Sequence, residues 1–370
     1  MTSRERLMTA LQVGQPDRVP IQVRGVRSWD ADWVASRHPS YKPVIEVVAE
    51  HGDFVDSWSP GVGPFLSMTD AVTYSYETAE REDWVETIAT THTPGGDLRT
   101  RFLSSKRGLP GMQVEFAVKT LQDVEKVLSV PYIPQGSVDP SGFIAKNEAM
   151  GDRGIVLADA GCTPISHIHE LMGSELLAIW SIEERGTILQ LIDVFLERLF
   201  DRLNAMIAAG VGPGFYTLGQ EYAAPPLHSA RDFREFCVEP DRRIMRKLRE
   251  AGKILHCHCH GPLNAVLDDF PEMCDALHPI EAPPMGDVPL AEAKRRIGDR
   301  VCLEGNIQIG DVYAAPTEQL IDRVKQAIDD AAPGGGFILC PTASPHTEAL
   351  TDVTVRNYVA MVETAAEYGR

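Results

Sequence analysis

From about residue 154 onward, short apolar segments alternate with longer segments of helical periodicity, and this alternation restricts the possible folds. Two further strand-like segments precede it, so the chain has eight predicted strands in all. Eight parallel strands joined by right-handed helical crossovers close into a (β/α)₈ barrel. The predicted strands lie at residues 21–23, 53–56, 154–158, 215–219, around 254–258, 275–278, 300–304 and 337–340. A short N-terminal helix through Leu11 is predicted from the capping box Thr2-Ser3-Arg4-Glu5. The other predicted helices lie at about 165–209, 229–251, from 262 onward, 289–297, 317–331 and 351–368.

Residues 71–118 interrupt this scheme. Thr, Tyr and Val alternate with charged residues there, and Pro94-Gly95-Gly96-Asp97 has the composition of a turn. A doubly wound open sheet is the alternative fold, but it usually carries a Gly-rich phosphate fingerprint after its first strand, which is not found in this sequence. We therefore predict an α/β protein in which residues 1–370 form a single TIM-barrel domain with an antiparallel hairpin insertion at about 71–118.

The predicted fifth strand carries the most unusual composition, with the run His256-Cys257-His258-Cys259-His260. Side chains alternate between the two faces of a strand, so the three histidines share one face and the two cysteines share the other. Imidazole and thiolate are common zinc ligands, which favours a metal or catalytic site. The alternative is a structural strand whose histidines satisfy backbone carbonyls. We expect the histidines to point into the barrel and the cysteines to pack against the helices as small apolar groups.

Barrel enzymes place their active sites at the carboxyl ends of the strands, and that rule selects residues from five predicted strands. All of them carry polar or metal-ligating side chains, although each taken singly also has a structural explanation, such as a surface ion pair for Glu281. The selected residues are Glu221, His258, His260, Glu281, Glu304, Asn306, Cys340, Thr342 and Ser344.

Composition excludes several partner classes. The net charge is −18, which disfavours nucleic acid or an anionic membrane surface as the main partner. No apolar run is long enough to span a membrane, and the N-terminus lacks the apolar core of a signal peptide. Seven cysteines, two of them in the His-rich strand, suit reduced thiols better than a disulfide framework, so we expect a cytoplasmic enzyme.

The sequence resembles the uroporphyrinogen decarboxylase superfamily, which includes the decarboxylases and the zinc-dependent methyltransferases that act with corrinoid proteins. The resemblance covers nearly the whole chain and implies a (β/α)₈ barrel. Its motifs are Arg4-Glu5-Arg6-Leu7 with Pro16-Asp17-Arg18-Val19-Pro20, Arg231–Phe236, Ala251-Gly252-Lys253, Leu277–Glu281, Val301–Ile307 and Pro333–Leu339.

The two branches of the superfamily imply different sites. In the decarboxylases, paired arginines near the first strand hold substrate carboxylates, and an aspartate sits over the pyrroles. Arg24, Arg27 and Asp70 would take these substrate-binding places, although the spacing and surroundings differ from the decarboxylase pattern. A porphyrinogen substrate is therefore disfavoured.

The methyltransferase branch is the closer match. Its members carry a His-x-Cys pair before a glycine on the fifth strand and a cysteine after the eighth, which together hold zinc. Here the pair before Gly261 is His258-x-His260, and Cys340 comes a few residues before the usual cysteine position. With Glu221 as a possible carboxylate ligand, the resemblance implies a metal site made from Glu221, His258, His260 and Cys340.

The function implied is that of a zinc-dependent methyltransferase or demethylase. It would move a methyl group between a small molecule and a corrinoid protein or thiol acceptor, with the corrinoid carried by a separate protein. Glu281 and Glu304, at neighbouring strand ends with Asn306, would act as a base or orient a ligand histidine, while Thr342 and Ser344 would line the substrate site. Two alternatives remain: a metal-free decarboxylase of a small carboxylic acid, and a non-catalytic barrel that binds a metal or a corrinoid protein.

Overall fold

The computed structural model describes residues 1–107 and 109–370, which divide into two compact units. The first unit comprises Met1–Ser59, Asp139–Gly161 and Gly210–Arg370, and the second comprises Pro60–Val138 and Cys162–Ala209. Among the described residues, no helix is both long enough and apolar enough to cross a membrane.

The described residues contain eleven strands and thirteen α-helices. The strands are β1 Phe54–Trp58, β2 Thr73–Glu80, β3 Trp84–Thr93, β4 Gly96–Ser105, β5 Met112–Glu115, β6 Gly154–Asp159, β7 Gly214–Leu218, β8 Ile254–His258, β9 Ala276–His278, β10 Cys302–Ile307 and β11 Phe337–Pro341. The helices are α1 Ser3–Leu11, α2 Ala31–Ala35, α3 Lys42–His51, α4 Leu121–Leu128, α5 Ser141–Met150, α6 Pro164–Glu183, α7 Arg185–Ala208, α8 Ala230–Phe233, α9 Glu239–Glu250, α10 Leu290–Ile297, α11 Ile309–Ala314, α12 Thr317–Ala331 and α13 Asp352–Tyr368.

The first unit is built on a parallel sheet of seven strands in the order β1-β6-β7-β8-β9-β10-β11. Neighbours in the sheet are consecutive strands of this unit, as expected when each crossover returns the chain to the adjacent position. The second unit holds a separate antiparallel sheet in the order β2-β3-β4-β5. The α/β class and the antiparallel insertion at about 71–118 are therefore confirmed.

The predicted first strand at 21–23 is wrong in extent, because Ile21 alone forms a parallel bridge, to Leu339 of β11. Pro20 supplies no amide hydrogen before it, and the chain turns at Gly25, whose φ of +80° suits glycine. The backbone around Ile21 nevertheless bonds on both sides, since the Gln22 amide donates to Leu339 O, the Leu339 amide donates to Pro20 O, and the Asp53 amide donates to Ile21 O at 2.7 Å. The parallel sheet thus has seven strands and one bridging residue instead of eight strands.

Some predicted helices also differ from the structure. The helix expected from 262 is a single 3₁₀ segment at Leu267–Glu272, where Pro271 removes an amide donor. The long helix expected at 165–209 is two helices, α6 and α7. Helices α2 to α5 had no counterpart among the predicted helices, since they lie in the part of the chain where the alternation is least regular.

The apolar ends of the parallel strands pack against α1. Leu7, Ala10 and Leu11 of this helix lie in one fully buried cluster with Ile155, Ala276, Cys302 and Ile338. Ala276 and Cys302 are the first residues of β9 and β10, so α1 covers the amino-terminal ends of the strands. The two-residue period of a strand then directs His278 and Glu304, two positions further on, to the same face.

A buried carboxylate joins the bridging residue to β1. Asp53, whose side chain is completely buried, accepts hydrogen bonds from Arg6 Nη1 at 2.7 Å, Arg18 Nη1 at 2.8 Å and the Ile21 amide at 2.9 Å. Its two arginine partners are themselves mostly buried. Removing the carboxylate would leave the Arg18 guanidinium group without its compensating charge and Arg6 with Asp17 alone.

We predict that Asp53→Ala lowers the free energy of unfolding by about 3–5 kcal/mol, the usual cost of breaking a buried ion pair from one side. Urea unfolding followed by circular dichroism measures this loss. Asp97→Ala is the matched control, because its ion pair with His92 is exposed and should contribute less than about 1 kcal/mol. Equal losses for the two variants would contradict the role assigned to Asp53.

Candidate functional site

The alternation along β8 separates its histidines from its cysteines. His256 contacts Glu304 of β10, two strands away, whereas the Cys257 thiol hydrogen-bonds Cys274, on the opposite face. Cys257 and the following Cys259 are fully buried. The predicted parity is therefore confirmed for β8, and we call the side of the sheet that carries His256 and His258 the histidine face.

Three histidines form a continuous row at the carboxyl ends of β8 and β9. His258 pairs with His278 in the parallel register, and their Nδ1 atoms lie 2.8 Å apart. His260 lies just beyond the end of β8, with its Nε2 3.1 Å from His258 Nε2. The row ends on acceptors: His260 Nδ1 is 3.2 Å from Glu281 Oε2, and His278 Nε2 is 3.2 Å from the Pro341 carbonyl.

The row requires one more proton than neutral histidines provide. Its four contacts join Glu281, His260, His258, His278 and the Pro341 carbonyl, and each contact needs one proton or another positive centre. Three neutral imidazoles carry three protons. The row is therefore completed either by a fourth proton or by a bound cation that replaces a proton.

The buried members of the row resist carrying the extra proton. Burial, together with the positive charges of Arg24, His260 and His256, lowers the pKa of His258 to about 2. Burial and the same Arg24 charge lower the pKa of His278 well below its usual value. Both rings are therefore neutral near pH 7 and have a nitrogen lone pair to offer, which is the form of histidine that binds metals.

A second cluster shares His278 with the row. His278, Glu304 and Cys340 are buried, and their potential ligand atoms all lie within 4.8 Å of one another. Glu304 Oε1 has no conventional hydrogen-bond donor among the described residues, and its neighbour Cys340 is at best a weak donor. Imidazole, carboxylate and thiol together form a donor set typical of zinc, so these residues fit a divalent transition metal.

The charges around this cluster depend on one another. Burial and the Glu304 carboxylate raise the pKa of the Cys340 thiol well above its usual value. Burial alone would also raise the pKa of Glu304, but the His256 charge and hydrogen bond, with Arg24, lower it overall. A bound cation would reverse the situation of Cys340, because a metal stabilises the thiolate.

A cavity of about 260 Å³ opens on the histidine face, and we call it the arginine cavity. Arg24 and Arg27, the residues predicted to bind substrate, line it together with His256, His258 and Glu304. Arg27 pairs with Asp56 at 3.5 Å, while Arg24 forms no ion pair with any described residue. The cavity therefore presents a cationic group to whatever enters it.

The remaining predicted site residues are distributed more widely. Glu221 lies close enough to His260 and Glu281 to interact with their charges, and burial raises its pKa while His260 acts to lower it. Ser344 lines the arginine cavity, whereas Asn306 and Thr342 line a different cleft beside Glu281. Thr342 is buried, and its hydroxyl accepts a hydrogen bond from the Ile309 amide. The remaining predicted residue, Asp70, is an exposed residue of the second unit.

His278 was absent from the predicted metal ligands, although it joins the histidine row to the Cys340 cluster. A usable signal was present in the sequence. His258 and His278 each come at the end of a predicted strand, and adjacent parallel strands of a barrel end at the same edge. That argument needs the register between β8 and β9, which a single strand pattern does not provide.

The reverse face of β8 holds a buried polar cluster among thiols. Asp241 of α9 is fully buried, accepts a hydrogen bond from Gln220 Nε2 at 2.7 Å, and lies close to Cys257 and Cys259. Burial raises the pKa of Asp241 to about 7, while the bond from Gln220 opposes the shift. This carboxyl group therefore keeps its proton in the folded state up to near-neutral pH.

Comparison with known proteins identifies relatives of this architecture. Residues 144–368 match the family model described as uroporphyrinogen decarboxylase (URO-D). Uroporphyrinogen decarboxylase from Psychromonas ingrahamii is 28% identical over 156 residues, and that from Thioalkalivibrio sulfidiphilus is 29% identical over 164 residues. These alignments cover 40% and 42% of this chain, and 40% and 43% of the relatives, so the chain spans about two fifths of their length.

Among solved structures, a methyltransferase from Methanosarcina mazei matches the chain over its whole length. The TM-score is 0.61 at 16% sequence identity, with 100% of this chain and 99% of the other chain covered. At this identity the match shows a shared fold.

We predict that the stability of the protein falls as the pH rises through 7 because of Asp241. Its pKa is higher in the folded chain than the unfolded value of about 3.9, so the folded state holds a proton that the unfolded state releases. The stabilising effect is full below about pH 4 and is lost as the pH rises through about 7. Asp241→Asn cannot ionise and should avoid this loss.

The measurement is urea unfolding of the wild type and Asp241→Asn at pH 5 and pH 8.5. Between pH 5 and pH 8.5 the variant should gain about 2.7 kcal/mol on the wild type, because only the interval from pH 5 to the folded pKa of about 7 contributes, at about 1.4 kcal/mol per unit of pKa. Asp299→Asn, an exposed carboxylate, should show no such gain. An unchanged difference between wild type and Asp241→Asn at the two pH values would refute the prediction.

Proposed function

We propose, given that this chain belongs to the uroporphyrinogen decarboxylase family, that it is a metal-dependent methyltransferase. In this proposal it transfers a methyl group between a small molecule and either a thiol acceptor or a corrinoid carried by a separate protein. The proposal is supported above all by the histidine row, which is one proton short of complete and lies directly above the buried cluster of His278, Glu304 and Cys340.

The proposed metal ligands are His278, Glu304 and Cys340, with His258 as an exchangeable fourth ligand. A zinc ion held there would supply a Lewis acid that lowers the pKa of a bound thiol or polarises the oxygen of a methoxy group. The alternative is the ligand set predicted from sequence, which consists of Glu221, His258, His260 and Cys340. The two sets share His258 and Cys340 and differ in His278, Glu304, Glu221 and His260.

The surrounding residues of the chain would orient the ligands and hold protons. Glu304 Oε2 lies 2.7 Å from His256 Nε2, which fixes the direction of the carboxylate within the site. Glu281 accepts a hydrogen bond from the Gly261 amide at 2.9 Å and faces His260 Nδ1, so it can hold a proton on that ring. Glu281 and Glu304 thus fit the orienting role better than that of a freely exposed base.

The arginine cavity would bind the anionic part of the small substrate. Arg24 provides an unpaired guanidinium group, which binds carboxylates through parallel hydrogen bonds. Ser344 adds a hydroxyl to the same cavity wall.

The roles predicted for Asp70 and Asn306 in substrate binding or catalysis remain predictions. The single-domain organisation of residues 1–370 also remains a prediction.

Closure of the parallel sheet into a barrel belongs to the same proposal. The backbone around Ile21 hydrogen-bonds to Leu339 of β11 and to Asp53, which directly precedes β1. These bonds support a barrel in which one bridging residue takes the place of the eighth strand. In a closed barrel the carboxyl ends of all the strands would surround one active site, as in other (β/α)₈ enzymes.

A metal-free decarboxylase is the second candidate, and the arginine cavity is the observation that favours it. Arg24 with Arg27 would hold the carboxylates of a substrate, and a histidine of the row would donate the proton that replaces carbon dioxide. The two functions differ in their need for metal, and this difference separates them experimentally.

We predict that protein purified without added metal contains about one zinc per chain, measured by inductively coupled plasma mass spectrometry. His258→Ala, His278→Ala and Cys340→Ala should each lose most of it, since each removes a ligand. Cys257→Ala is the matched control, because it lies on the same strand with its side chain on the reverse face. Retention of zinc in His278→Ala with loss in His260→Ala would favour the alternative ligand set, and loss in Cys257→Ala would contradict both sets.

We further predict that metal removal abolishes methyl release from a panel of methoxy and methylamine compounds assayed with a reduced corrinoid. Dialysis against a chelator removes the metal, and added zinc should restore the activity. Arg24→Ala should raise KM for anionic substrates at least tenfold with full zinc content. Release of carbon dioxide from small carboxylic acids by the metal-free protein would support the decarboxylase instead.

A further inference from the structure

Two spaces within the first unit border the histidine row. One is the arginine cavity, which is bordered by His258. The other is a cleft of about 840 Å³ bordered by His260, which we call the rim cleft. It starts at His260 and Glu281 and extends past Pro284 to Gly310 of α11 and Ala327 of α12.

The two spaces are bordered by residues that contact each other. His258 borders the arginine cavity, His260 borders the rim cleft, and their Nε2 atoms lie 3.1 Å apart. A molecule in either space would therefore lie beside the same row of imidazoles, so two molecules can be bound next to neighbouring members of the row at the same time.

The charged groups along the rim cleft are already paired. Arg323 forms an ion pair with Asp311, and Asp330 accepts a hydrogen bond from Gln326 at 2.7 Å. His260 faces Glu281 at the inner end. Among the described residues that line this cleft, none offers an unpaired cation comparable to Arg24, so the cleft does not favour an anion.

The wall between the two ends is apolar. Three prolines, Leu290 and Ile307 contribute to it, and Met285, whose side chain is exposed, lies on the outer lip. The inner end is polar, because His260 and Glu281 lie there, and the Asn306 side chain also lines the cleft. A volume of this size accommodates a small organic molecule, and apolar walls with a few polar groups at one end are typical of such sites.

We propose that the rim cleft binds a neutral small molecule that has one polar end and an apolar body. The polar end would lie against His260 and Asn306, and the body would lie along the prolines. This inference rests on the proposed transferase function, in which the occupant of the rim cleft is the second reactant and the occupant of the arginine cavity is the first.

Gly310 provides a direct test. Gly310 lines the cleft, and a Cβ atom added there meets no atom within 4 Å, so a larger side chain at this position starts in open space. Gly186 is a matched control, since it is also the second residue of a helix, α7, and also has open space around its Cβ position. The variants are Gly310→Trp and Gly186→Trp.

The probes are 2-phenylethanol for the rim cleft and malonate for the arginine cavity, with binding followed by ligand-observed NMR titration. Wild type should bind both, and saturating malonate should change the Kd for 2-phenylethanol by less than twofold. Gly310→Trp should weaken 2-phenylethanol binding at least tenfold and leave malonate binding unchanged. Gly186→Trp should bind both probes as the wild type does.

The proposal is overturned if wild type does not bind 2-phenylethanol, if the two probes compete, or if Gly310→Trp binds 2-phenylethanol normally. If Gly310→Trp binds neither probe, the Met285→Glu variant is tested instead. A charge at this exposed lip should weaken 2-phenylethanol binding at least threefold and leave malonate binding unchanged, and normal 2-phenylethanol binding by this variant overturns the proposal. These titrations need neither metal nor turnover, so failure of the transferase proposal in the zinc and methyl-release assays would be seen separately.

Discussion

The two-residue period of β8 is the constraint on which the rest of the site depends. A strand must send successive side chains to opposite faces, and this strand carries His256, Cys257 and His258 in succession. Imidazole needs partners for its ring nitrogens, whereas a thiol packs well among apolar groups. A shift of one residue would bury the imidazoles among the thiols on the reverse face and leave Glu304 without His256. The polar histidine face and the packed reverse face are therefore two results of one register.

Electrostatics then determines what the histidine face can bind. His258 and His278 are buried beside Arg24, and this environment opposes their protonation. Yet the row of imidazoles ends on acceptors at both ends, so it lacks one positive centre. The buried carboxylate of Glu304 and the thiol of Cys340 lie beside the same row. A divalent ion would supply the missing charge, convert the thiol to a ligand and balance the carboxylate, which is why the metal proposal explains more of these residues than a metal-free proposal does.

Much of this arrangement could be predicted from sequence because it depends on local periodicity. The strand at β8, the placement of its histidines and cysteines, and the antiparallel insertion all follow from patterns within a few residues. The bridging residue Ile21 was harder, because Pro20 and the turn at Gly25 shorten a segment that is otherwise strand-like. His278 was missed as a partner because its contact with His258 depends on the register between two strands. The rim cleft was also missed, since residues as distant as Glu281, Gly310 and Ala327 meet only in three dimensions.

The central claim is that a metal ion is held on the histidine face by nitrogen, oxygen and one sulfur. X-ray absorption spectroscopy at the zinc edge of the purified protein tests it most directly, because it counts sulfur and lighter ligands separately. The account predicts one sulfur at about 2.3 Å, from Cys340, with nitrogen and oxygen ligands at about 2.0–2.2 Å. That sulfur signal should disappear in Cys340→Ser and persist in Cys257→Ser. Two or more sulfur ligands, or a sulfur signal that disappears in Cys257→Ser, would place the metal on the reverse face and contradict the account.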